Sequence, residues 1–414
     1  MTDLQPARGT HDILPDEMRG HRRVVERARD VAERYGYDEM STPIFEFSRV
    51  FRRTLGDTSD IVTKEMYTFT DKGGDEITLR PENTAGVARC YLSEGLAQHA
   101  PARFFYAGPM FRYERPQKGR QRQFHQFGIE AIGIAGPFAD IEVIACGARI
   151  LDALGVRERT VLELNTLGDW ESRKGYRAVL VDYLEKRTDE LSEESRDRLT
   201  RNPLRILDSK DERDRRVVAD APLFSDYLNE VSRAFFDEVC RGLDALGIPF
   251  RHNPRLVRGL DYYTHTAFEF TTDALGAQGT VMAGGRYDGL IGMIGGPETP
   301  GVGWAAGIER LSMLCGAPPR ARRPIAVVPV GNESVMPAMK LSEDLRGAGF
   351  RVDLGHSGNL SRRMKRANRV NAAAAIILGE DELARSVATI RDLDSGEQEE
   401  AALASLADRL ARYR

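Results

Sequence analysis

The sequence predicts a chain of mixed α and β elements that ends in a separate, small α/β domain. Its 414 residues exceed the roughly 250–300 at which a single core stops growing, so two or three domains are expected. Residues 315–324 are rich in Pro, Gly and Arg, a composition typical of a linker. Beyond the linker, predicted strands alternate with predicted helices, and this order indicates a largely parallel sheet.

The composition is that of an ordinary globular protein. Hydrophobic residues make up 41% of the chain and charged residues 29%, close to the average for soluble domains. No apolar run approaches the roughly 20 residues of a spanning helix, and the N-terminus lacks the apolar core of a signal peptide. We therefore expect a cytoplasmic protein. The net charge of −4 argues against nonspecific coating of nucleic acid, but local basic patches would suit one large, shaped RNA.

The cysteines are far apart in the sequence and form no CxxC pair. They are Cys90, Cys146, Cys240 and Cys315. A disulfide framework and a structural zinc site are therefore not expected, and the sequence assigns no metal-binding residues. Buried free thiols are the expected state of these side chains.

The first elements follow from apolar spacing and turn residues. Apolar positions at helical spacing predict a helix over residues 15–35, which ends at a glycine. Residues 37–47 are predicted as a strand that Pro43 interrupts, and a proline there favours an edge or an interface. Two further strands, 65–69 and 77–80, are predicted around a turn rich in Asp and Gly.

Residues 103–133 are predicted to form a hairpin with a long basic loop. The cations of this loop are Arg112, Arg115, Lys118, Arg120 and Arg122, and its acid is Glu114. Guanidinium groups match phosphate oxygens, so the loop suits a polyphosphate or the end of a nucleic acid. A solvated hairpin tip would explain the charges equally well. Gln126 and Glu130 share one face of the returning strand and could line a floor.

The middle of the chain changes character twice. A helix over residues 140–154 and a strand over 161–164 continue the first pattern. Residues 169–247 are charged and helical with few strand signals, so they form either an insertion made of helices or a helical layer of the main domain. Residues 256–264 are predicted as a strand. The strand contains an Arg, an Asp and two Tyr, so it is too polar to lie entirely in the hydrophobic core.

The elements after the linker are predicted in a regular order. The strands are 325–330, 350–354, 373–378 and 387–392, and the helices are 334–346, 360–371 and 401–413. The second of these helices is basic.

Four blocks of sequence carry a resemblance to a known family. FRYERPQKGRQRQFHQFGIE at residues 111–130 resembles motif 2 of class II aminoacyl-tRNA synthetases, in the form found in histidyl-tRNA synthetases. RGLDYY at 258–263 and VMAGGRYDGL at 281–290 resemble further blocks of the same family. GVGWAAGIERL at 301–311 resembles motif 3. The blocks follow the family's order over nearly the whole chain.

The resemblance implies an α+β class II synthetase catalytic domain, an antiparallel sheet flanked by helices, over residues 1–316. It also implies a helical insertion at about 169–247, a linker at 317–324 and a C-terminal α/β anticodon-binding domain at 325–414. Residues 15–47 resemble motif 1, which implies a homodimer.

The implied activity is that of a ligase for histidine and its tRNA. Histidine and ATP, with bound Mg²⁺, would form histidyl-adenylate, and the histidyl group would then pass to the 3′ end of histidine tRNA. Phosphoryl chemistry of this kind depends on positioning and charge neutralisation. No GxxxxGK[ST] loop is present, which agrees with a fold other than a nucleotide-binding doubly wound sheet.

The resemblance also implies roles for individual residues, with Arg258 and Arg112 as the catalytic cations. Histidine would be bound by Glu82, Asn83, Thr84, Arg112, Gln126, Glu130, Arg258, Tyr262 and Tyr263. ATP would be bound by Arg112, Glu114, Arg120 and Arg310. The tRNA would be bound by Arg115, Gln117, Lys118, Arg362, Arg363, Lys365 and Arg366. Asn83 stands where the family more often has a glycine, and either Asn83 or Thr84 could simply cap the helix that follows.

Two other classes of function remain open at this point. One is a noncatalytic paralogue that senses histidine as a regulatory subunit of histidine biosynthesis, which usually lacks the C-terminal domain. The other is an RNA-binding module without chemistry, which would not need Glu82, Gln126, Glu130 and Tyr263 together.

Overall fold

The computed structural model describes residues 4–56, 59, 61–117, 119–209, 211–257 and 262–414. They fall into two compact units, Met1–Pro319 and Arg320–Arg414. Within those described ranges, no helix has both the length and the apolar composition needed to cross a membrane.

The first unit combines one large sheet, one small sheet and helices. Its α-helices are α1 (Pro15–Arg34), α2 (Ser48–Leu55), α3 (Thr84–Ser93), α4 (Phe138–Ala153), α5 (Trp170–Glu185), α6 (Glu193–Arg201), α7 (Glu212–Ala219), α8 (Glu230–Ala245), α9 (Leu290–Met293) and α10 (Ile308–Cys315). Its strands are β1 (Asp38–Glu39), β2 (Phe45–Phe47), β3 (Tyr67–Thr70), β4 (Glu76–Leu79), β5 (Ala102–Phe111), β6 (Gln123–Ile132), β7 (Val161–Thr166), β8 (Arg251–His252), β9 (Thr264–Thr271), β10 (Thr280–Arg286) and β11 (Gly301–Gly307).

The large sheet is antiparallel at its centre and parallel at both edges. Its order is β1-β5-β6-β11-β10-β9-β7-β8, and the pairs β1–β5 and β7–β8 are parallel. The predicted basic hairpin is its longest antiparallel pair, with β5 and β6 in register from Ala102↔Ile132 to Phe111↔Gln123. Two cations at this end of the hairpin, Arg112 and Arg120, line one cavity together with residues of β9, β10 and β11.

Residues 37–47 form two strands in two sheets, not the single interrupted strand that was predicted. β1 pairs with β5 of the large sheet, whereas β2 pairs with β4 in the small sheet of order β2-β4-β3. Pro43 lies between them, where its missing N–H and fixed φ end the first pairing.

The helical segment 169–247 contributes to two hydrophobic clusters. Leu180, Leu199 and Val217 pack in the cluster that includes α2 and α3. By contrast, Val239 and Leu243 of α8 pack with α1, α4 and the opposite face of the sheet. Both clusters also contain residues of the large sheet, and the division of this segment between an insertion and the main domain stays a prediction.

Residues 262 and 263 precede β9 and are not in a strand, contrary to the prediction for 256–264. Both tyrosines line the cavity described below, and residues 258–261 of the predicted strand lie outside the described residues.

The second unit contains β12 (Ile325–Pro329), α11 (Val335–Gly347), β13 (Val352–Leu354), α12 (Leu360–Arg369), β14 (Ala374–Leu378), α13 (Glu380–Ala384), β15 (Val387–Asp392), β16 (Gln398–Ala402) and α14 (Leu406–Arg409). Its sheet has the order β13-β12-β14-β15-β16. The β12 pairs are parallel, but β15 is antiparallel to both neighbours, so the sheet is mixed, not largely parallel.

The predicted helix over residues 401–413 is wrong at its start. Asp392 accepts hydrogen bonds from the backbone N–H groups of Asp394 and Ser395, both at 2.8 Å, and Gly396 has φ 78°. This turn returns the chain as β16, so Ala401 is buried opposite Ala388 in the sheet. Only short helical turns follow.

Candidate active site

A cavity of about 600 Å³ opens in the first unit where the basic loop meets the central strands. A volume of this size suits a drug-sized ligand. The residues that sequence analysis assigned to histidine or ATP and that line the cavity are Glu82, Thr84, Arg112, Glu114, Arg120, Gln126, Tyr262, Tyr263 and Arg310. Asn83 and Glu130 belong to the same assignment but do not line it.

Arg112 is fixed at the end of the first hairpin strand. Its Nε donates to the Pro81 carbonyl at 2.9 Å, and its guanidinium carbon lies 5.4 Å from the centre of the Phe124 ring. These contacts hold a cation on the cavity wall between the hairpin and the start of α3. Because the side chain is already ordered, its guanidinium would lose little conformational entropy on binding an anion.

Glu114 and Arg120 form an ion pair across the basic loop, in which Arg120 Nε donates to Glu114 Oε2. This hydrogen bond raises the pKa of Arg120. Arg310 of α10 stands beside the pair, with Nε donating to Gly119 O at 3.1 Å and Nη1 to Thr280 O at 2.7 Å. Burial lowers the pKa of the Arg310 guanidinium, which stays cationic at neutral pH. One side of the cavity is therefore rich in cations.

The start of α3 supplies the opposite wall. Glu82 caps this helix, since its two carboxylate oxygens accept the backbone N–H groups of Thr84 and Ala85, each at 2.8 Å. Neither Asn83 nor Thr84 caps the helix with its side chain. Burial raises the pKa of Glu82.

Asn83 is not part of the cavity wall, contrary to its assignment to histidine. Its Oδ1 accepts from Thr42 Oγ1 at 2.6 Å and from Arg80 Nη1 at 3.1 Å, and the residue is 1% exposed. The side chain points into the protein because these two donors hold it there. It anchors the loop from behind.

Glu130 is completely buried one layer behind the wall. Its Oε1 accepts from the Thr84 hydroxyl at 2.6 Å and from the Tyr106 hydroxyl at 3.3 Å, and its Oε2 accepts from the Tyr287 hydroxyl at 2.5 Å. Burial raises the pKa of Glu130 from 4.5 to about 8, although the three hydroxyl donors oppose the shift. A Cβ on Gly303 would lie 1.9 Å from Oε2, so only glycine leaves room for this carboxylate.

Tyr262, Tyr263 and Gln126 complete the polar wall. The two tyrosine rings lie 4.6 Å apart between centroids and are 1% and 6% exposed. Among the described residues, Gln126 Oε1 is buried without a hydrogen-bond partner. A buried acceptor without a donor is unfavourable, so this oxygen is placed to receive a donor from a ligand.

Comparisons with known proteins agree with this geometry. The family model described as histidyl-tRNA synthetase matches residues 9–311, and one described as an anticodon binding domain matches 324–413. The chain belongs to the histidyl-tRNA synthetase family.

Individual relatives support this assignment over the full length. The chain is 65% identical to the histidine–tRNA ligase of Rhodospirillum rubrum over 100% of both chains. It is 56% identical to that of Gluconacetobacter diazotrophicus over 99% of each. A crystal structure of apo S. aureus histidyl-tRNA synthetase superposes with a TM-score of 0.82 at 35% identity, covering 98% of this chain and 99% of that one. The predicted family, fold class and ATP-dependent ligase activity are confirmed.

Two residues that the family resemblance assigned, Arg258 and Lys118, lie outside the described residues. Their roles stay predictions. Arg115 and Gln117 of the same basic loop are exposed, and Gln117 exchanges backbone hydrogen bonds with Arg120. They lie outside the cavity lining, as expected for residues assigned to the tRNA and not to the small substrates.

The basic helix α12 separates into two kinds of cation. Arg362 and Lys365 are exposed. Arg366 donates to both oxygens of Asp353, at 2.9 and 2.7 Å, and Arg363 donates to the Pro329 carbonyl. The assignment of all four to the tRNA therefore needs refinement, because the last two already have partners within their own unit.

Sequence reasoning missed several residues of this site, among them Tyr106, which donates to Glu130. Tyr287, which also donates to Glu130, lies in the VMAGGRYDGL block, whose Arg, Tyr and Asp the sequence indicates as hydrogen-bonding groups. Glu269 and Thr280 line the cavity from β9 and β10. The helical segment adds a further group to the lining: Glu194, Arg198, Arg205 and Asp208. Their local sequence is a run of charges, and nothing in it distinguishes a cavity rim from a solvated helix.

Proposed function

We propose that the cavity joins histidine to ATP and then transfers the histidyl group to histidine tRNA. In the first step a carboxylate oxygen of histidine attacks the α-phosphorus, and the bond to the bridging oxygen of pyrophosphate breaks. In the second step the terminal ribose hydroxyl of the tRNA attacks the carbonyl carbon and AMP leaves. The observation that carries this proposal is one cavity lined both by the cations Arg112, Arg120 and Arg310 and by the polar side chains of Glu82, Gln126 and Tyr263.

The cationic wall would bind ATP. Arg112 would neutralise the α-phosphate and the histidine carboxylate, together with Arg258. Arg310 would meet the outer phosphate, since it lies beyond the Glu114–Arg120 pair on the same wall. Charge neutralisation by positioned guanidinium groups lowers the barrier without covalent catalysis.

The reaction implies a Mg²⁺ ion bound with ATP. Mg²⁺ takes oxygen ligands, typically one or two carboxylates together with substrate phosphates. Glu269 presents a carboxylate on the cavity wall and fits this requirement. Glu269 would hold the ion, and the ion would neutralise phosphate charge.

The opposite wall would select histidine. Glu82, Thr84 and Gln126 would bind the ammonium group, and the unpartnered Oε1 of Gln126 supports this role. Glu130 and Tyr263 would read the imidazole, whose one N–H donor and one acceptor nitrogen match a carboxylate and a phenol. Glu130 lies directly behind Thr84, so an imidazole that entered between Thr84 and Tyr263 would meet it.

The tRNA would contact the basic loop through Arg115, Gln117 and Lys118, and the second unit through α12. On that helix the exposed Arg362 and Lys365 are the better candidates for phosphate contacts, because Arg366 is neutralised by Asp353.

We further propose that the working molecule is a cytoplasmic homodimer. The small sheet exposes apolar side chains next to one another, with Phe45 54%, Phe47 43% and Phe69 47% exposed. Adjacent exposed aromatic side chains indicate a covered surface, and residues 15–47 carry the resemblance to motif 1.

Histidine-dependent ATP–pyrophosphate exchange tests the proposal. Wild type should exchange only with histidine, and Arg112→Ala should lower kcat/KM by about 100-fold or more. Arg149→Ala is a matched control, since this arginine is exposed on α4 far from the lining. Exchange that ignores histidine, or an Arg112→Ala variant as active as Arg149→Ala, would contradict the proposal.

A further inference from the structure

Two imidazoles and one carboxylate meet where α1, β6 and α10 pack together, beside the cationic wall. The residues are His21, His125 and Glu309, and one ligand atom from each lies within 4.8 Å of the others. His21 is 4% exposed, and the side chains of His125 and Glu309 are 23% and 15% exposed. No sequence pattern indicates this set, because 184 positions separate His125 from Glu309.

The carboxylate of this cluster is already held in place. Glu309 accepts the backbone N–H of His125 at 2.9 and 3.1 Å and lies 2.8 Å from His125 Nδ1. The His21 ring lies 5.9 Å from the His125 ring between centroids. Three elements therefore fix the three side chains, so that little ordering would be needed to bind an ion.

The imidazole of His21 is not hydrogen-bonded to the neighbouring carboxylate of Glu17. Its Nε2 lies 3.9 Å from Glu17 Oε1, which is too far for a hydrogen bond. Glu17 in turn lies 3.2 Å from His11 Nε2. A carboxylate beside a metal-binding histidine is a usual supporting arrangement, because it orients the ring and raises its basicity.

We propose that His21, His125 and Glu309 bind one Zn²⁺ ion. Zinc takes imidazole nitrogen and carboxylate oxygen at roughly 2.0–2.2 Å, which places tetrahedral ligand atoms roughly 3.3 Å apart. The observed separations, which reach up to 4.8 Å, need changes of up to about 1.5 Å to meet this geometry. Two imidazoles favour zinc over Mg²⁺ or Ca²⁺, which prefer oxygen ligands. Water or Glu17 supplies the fourth position.

The ion would join α1 to both elements that carry the cationic wall. His125 lies between Phe124 and Gln126, which line the cavity, and Glu309 precedes Arg310. Glu309 itself lines the cavity, so the site adjoins the wall, and it is distinct from the Mg²⁺ proposed to bind at Glu269. The spacing of the cysteines predicts no structural zinc site, and this proposal instead places a zinc ion on histidine and carboxylate ligands.

Metal binding to the untagged full chain tests the site without ATP, histidine or tRNA, since free histidine itself binds zinc. After removal of metals by a chelator, Co²⁺ should produce the visible absorption of a tetrahedral complex, and Zn²⁺ should displace it at about one ion per chain. Zn²⁺ should also raise the Tm of wild type.

His21→Gln and Glu309→Gln should each weaken Zn²⁺ binding by more than about tenfold and remove the Tm shift. Substitution of the buried His21 could by itself disturb packing, so Glu309→Gln serves as the second variant. Gln keeps the size of Glu309 and an oxygen that accepts from the His125 backbone N–H. His356→Gln, an exposed histidine of the second unit, should bind zinc as wild type does. Two results would overturn the proposal. One is the absence of the cobalt spectrum in wild type, and the other is a zinc affinity in both site variants equal to that of wild type.

Discussion

Asp140 and Glu130 are two completely buried carboxyl groups of the first unit. They differ in the groups that offset the cost of removing a carboxyl from water. Asp140 faces the equally buried Arg286, whose Nε lies 3.2 and 3.0 Å from its two oxygens. Arg286 also donates to Asp288 and to the carbonyls of Ile134 and Gly136. Glu130 has no such cation among the partners described for it, and only hydroxyl groups donate to it.

The difference separates a structural carboxylate from one that is available to a ligand. A buried charge with a cation and saturated hydrogen bonds gains nothing from further partners, so it fixes the β10–α4 junction. Burial raises the pKa of both carboxyl groups, but Glu130 has only hydroxyl donors among the partners described for it, and a buried carboxyl without a cation is a feature of functional sites. The sequence block GGRYDGL thus supplies two different partners: Arg286 pairs with Asp140, and Tyr287 donates to Glu130 next to the cavity.

Removing Arg286 should have the largest effect. Arg286→Met leaves Asp140 buried and unpaired, which should lower the free energy of unfolding by about 3–5 kcal/mol. Urea unfolding followed by tryptophan fluorescence reports on the first unit, because both tryptophans of the chain, Trp170 and Trp304, lie there. The double variant Arg286→Met/Asp140→Asn should recover part of the loss. A single variant as stable as wild type would mean that the ion pair is not structural.

The pH dependence of stability should identify Glu130 as the uncompensated group. Its folded pKa of about 8 exceeds the ordinary 4.5, so the folded protein retains a proton that the unfolded chain has lost. Stability from this proton is complete below pH 4.5 and is lost as pH rises to 8, at about 1.4 kcal/mol per pH unit.

Urea unfolding at pH 5, 6, 7 and 8 measures this effect. Relative to Glu130→Gln, wild type should lose about 3 kcal/mol across that window. Glu94→Gln, at an exposed position, should follow the wild-type curve. Parallel curves for wild type and Glu130→Gln would show that Glu130 does not titrate there.

Tyr263→Phe should separate histidine binding from ATP binding. Loss of one buried hydroxyl partner of the imidazole should raise the KM for histidine about tenfold, with little change in the KM for ATP. Pyrophosphate exchange gives both constants. Tyr113→Phe serves as a control because Tyr113 is 53% exposed. Unchanged constants in the Tyr263 variant would remove it from imidazole recognition.

Tyr287→Phe should have the smallest effect of the set. It removes the hydroxyl that donates to Glu130 Oε2, which should raise the pKa of Glu130 further and increase the KM for histidine about threefold, or about 0.7 kcal/mol. The midpoint of the pH-dependent loss of stability should move upward. A downward shift would mean that the tyrosine does not stabilise the ionised carboxylate.

Sequence analysis recovered the parts of the molecule that local chemistry specifies. The basic hairpin, α1, α4 and the strands of the second unit up to β15 follow from apolar periodicity and turn residues. The block from 111 to 130 pointed to the family, and its Arg112, Glu114, Arg120 and Gln126 do line the cavity. These predictions succeeded because the signal lies within one element or one hairpin.

Only the tertiary structure decided which side chains face the cavity and which stand behind it. Asn83 turns inward because Thr42, 41 positions away, donates to it, and Glu130 is buried because Tyr287, 157 positions away, covers it. The division of residues 37–47 between two sheets and the return of the chain as β16 likewise depend on partners remote in sequence. The physical reason is that burial and pairing are set by contacts between distant segments, whereas residue type and spacing record only the neighbours along the chain.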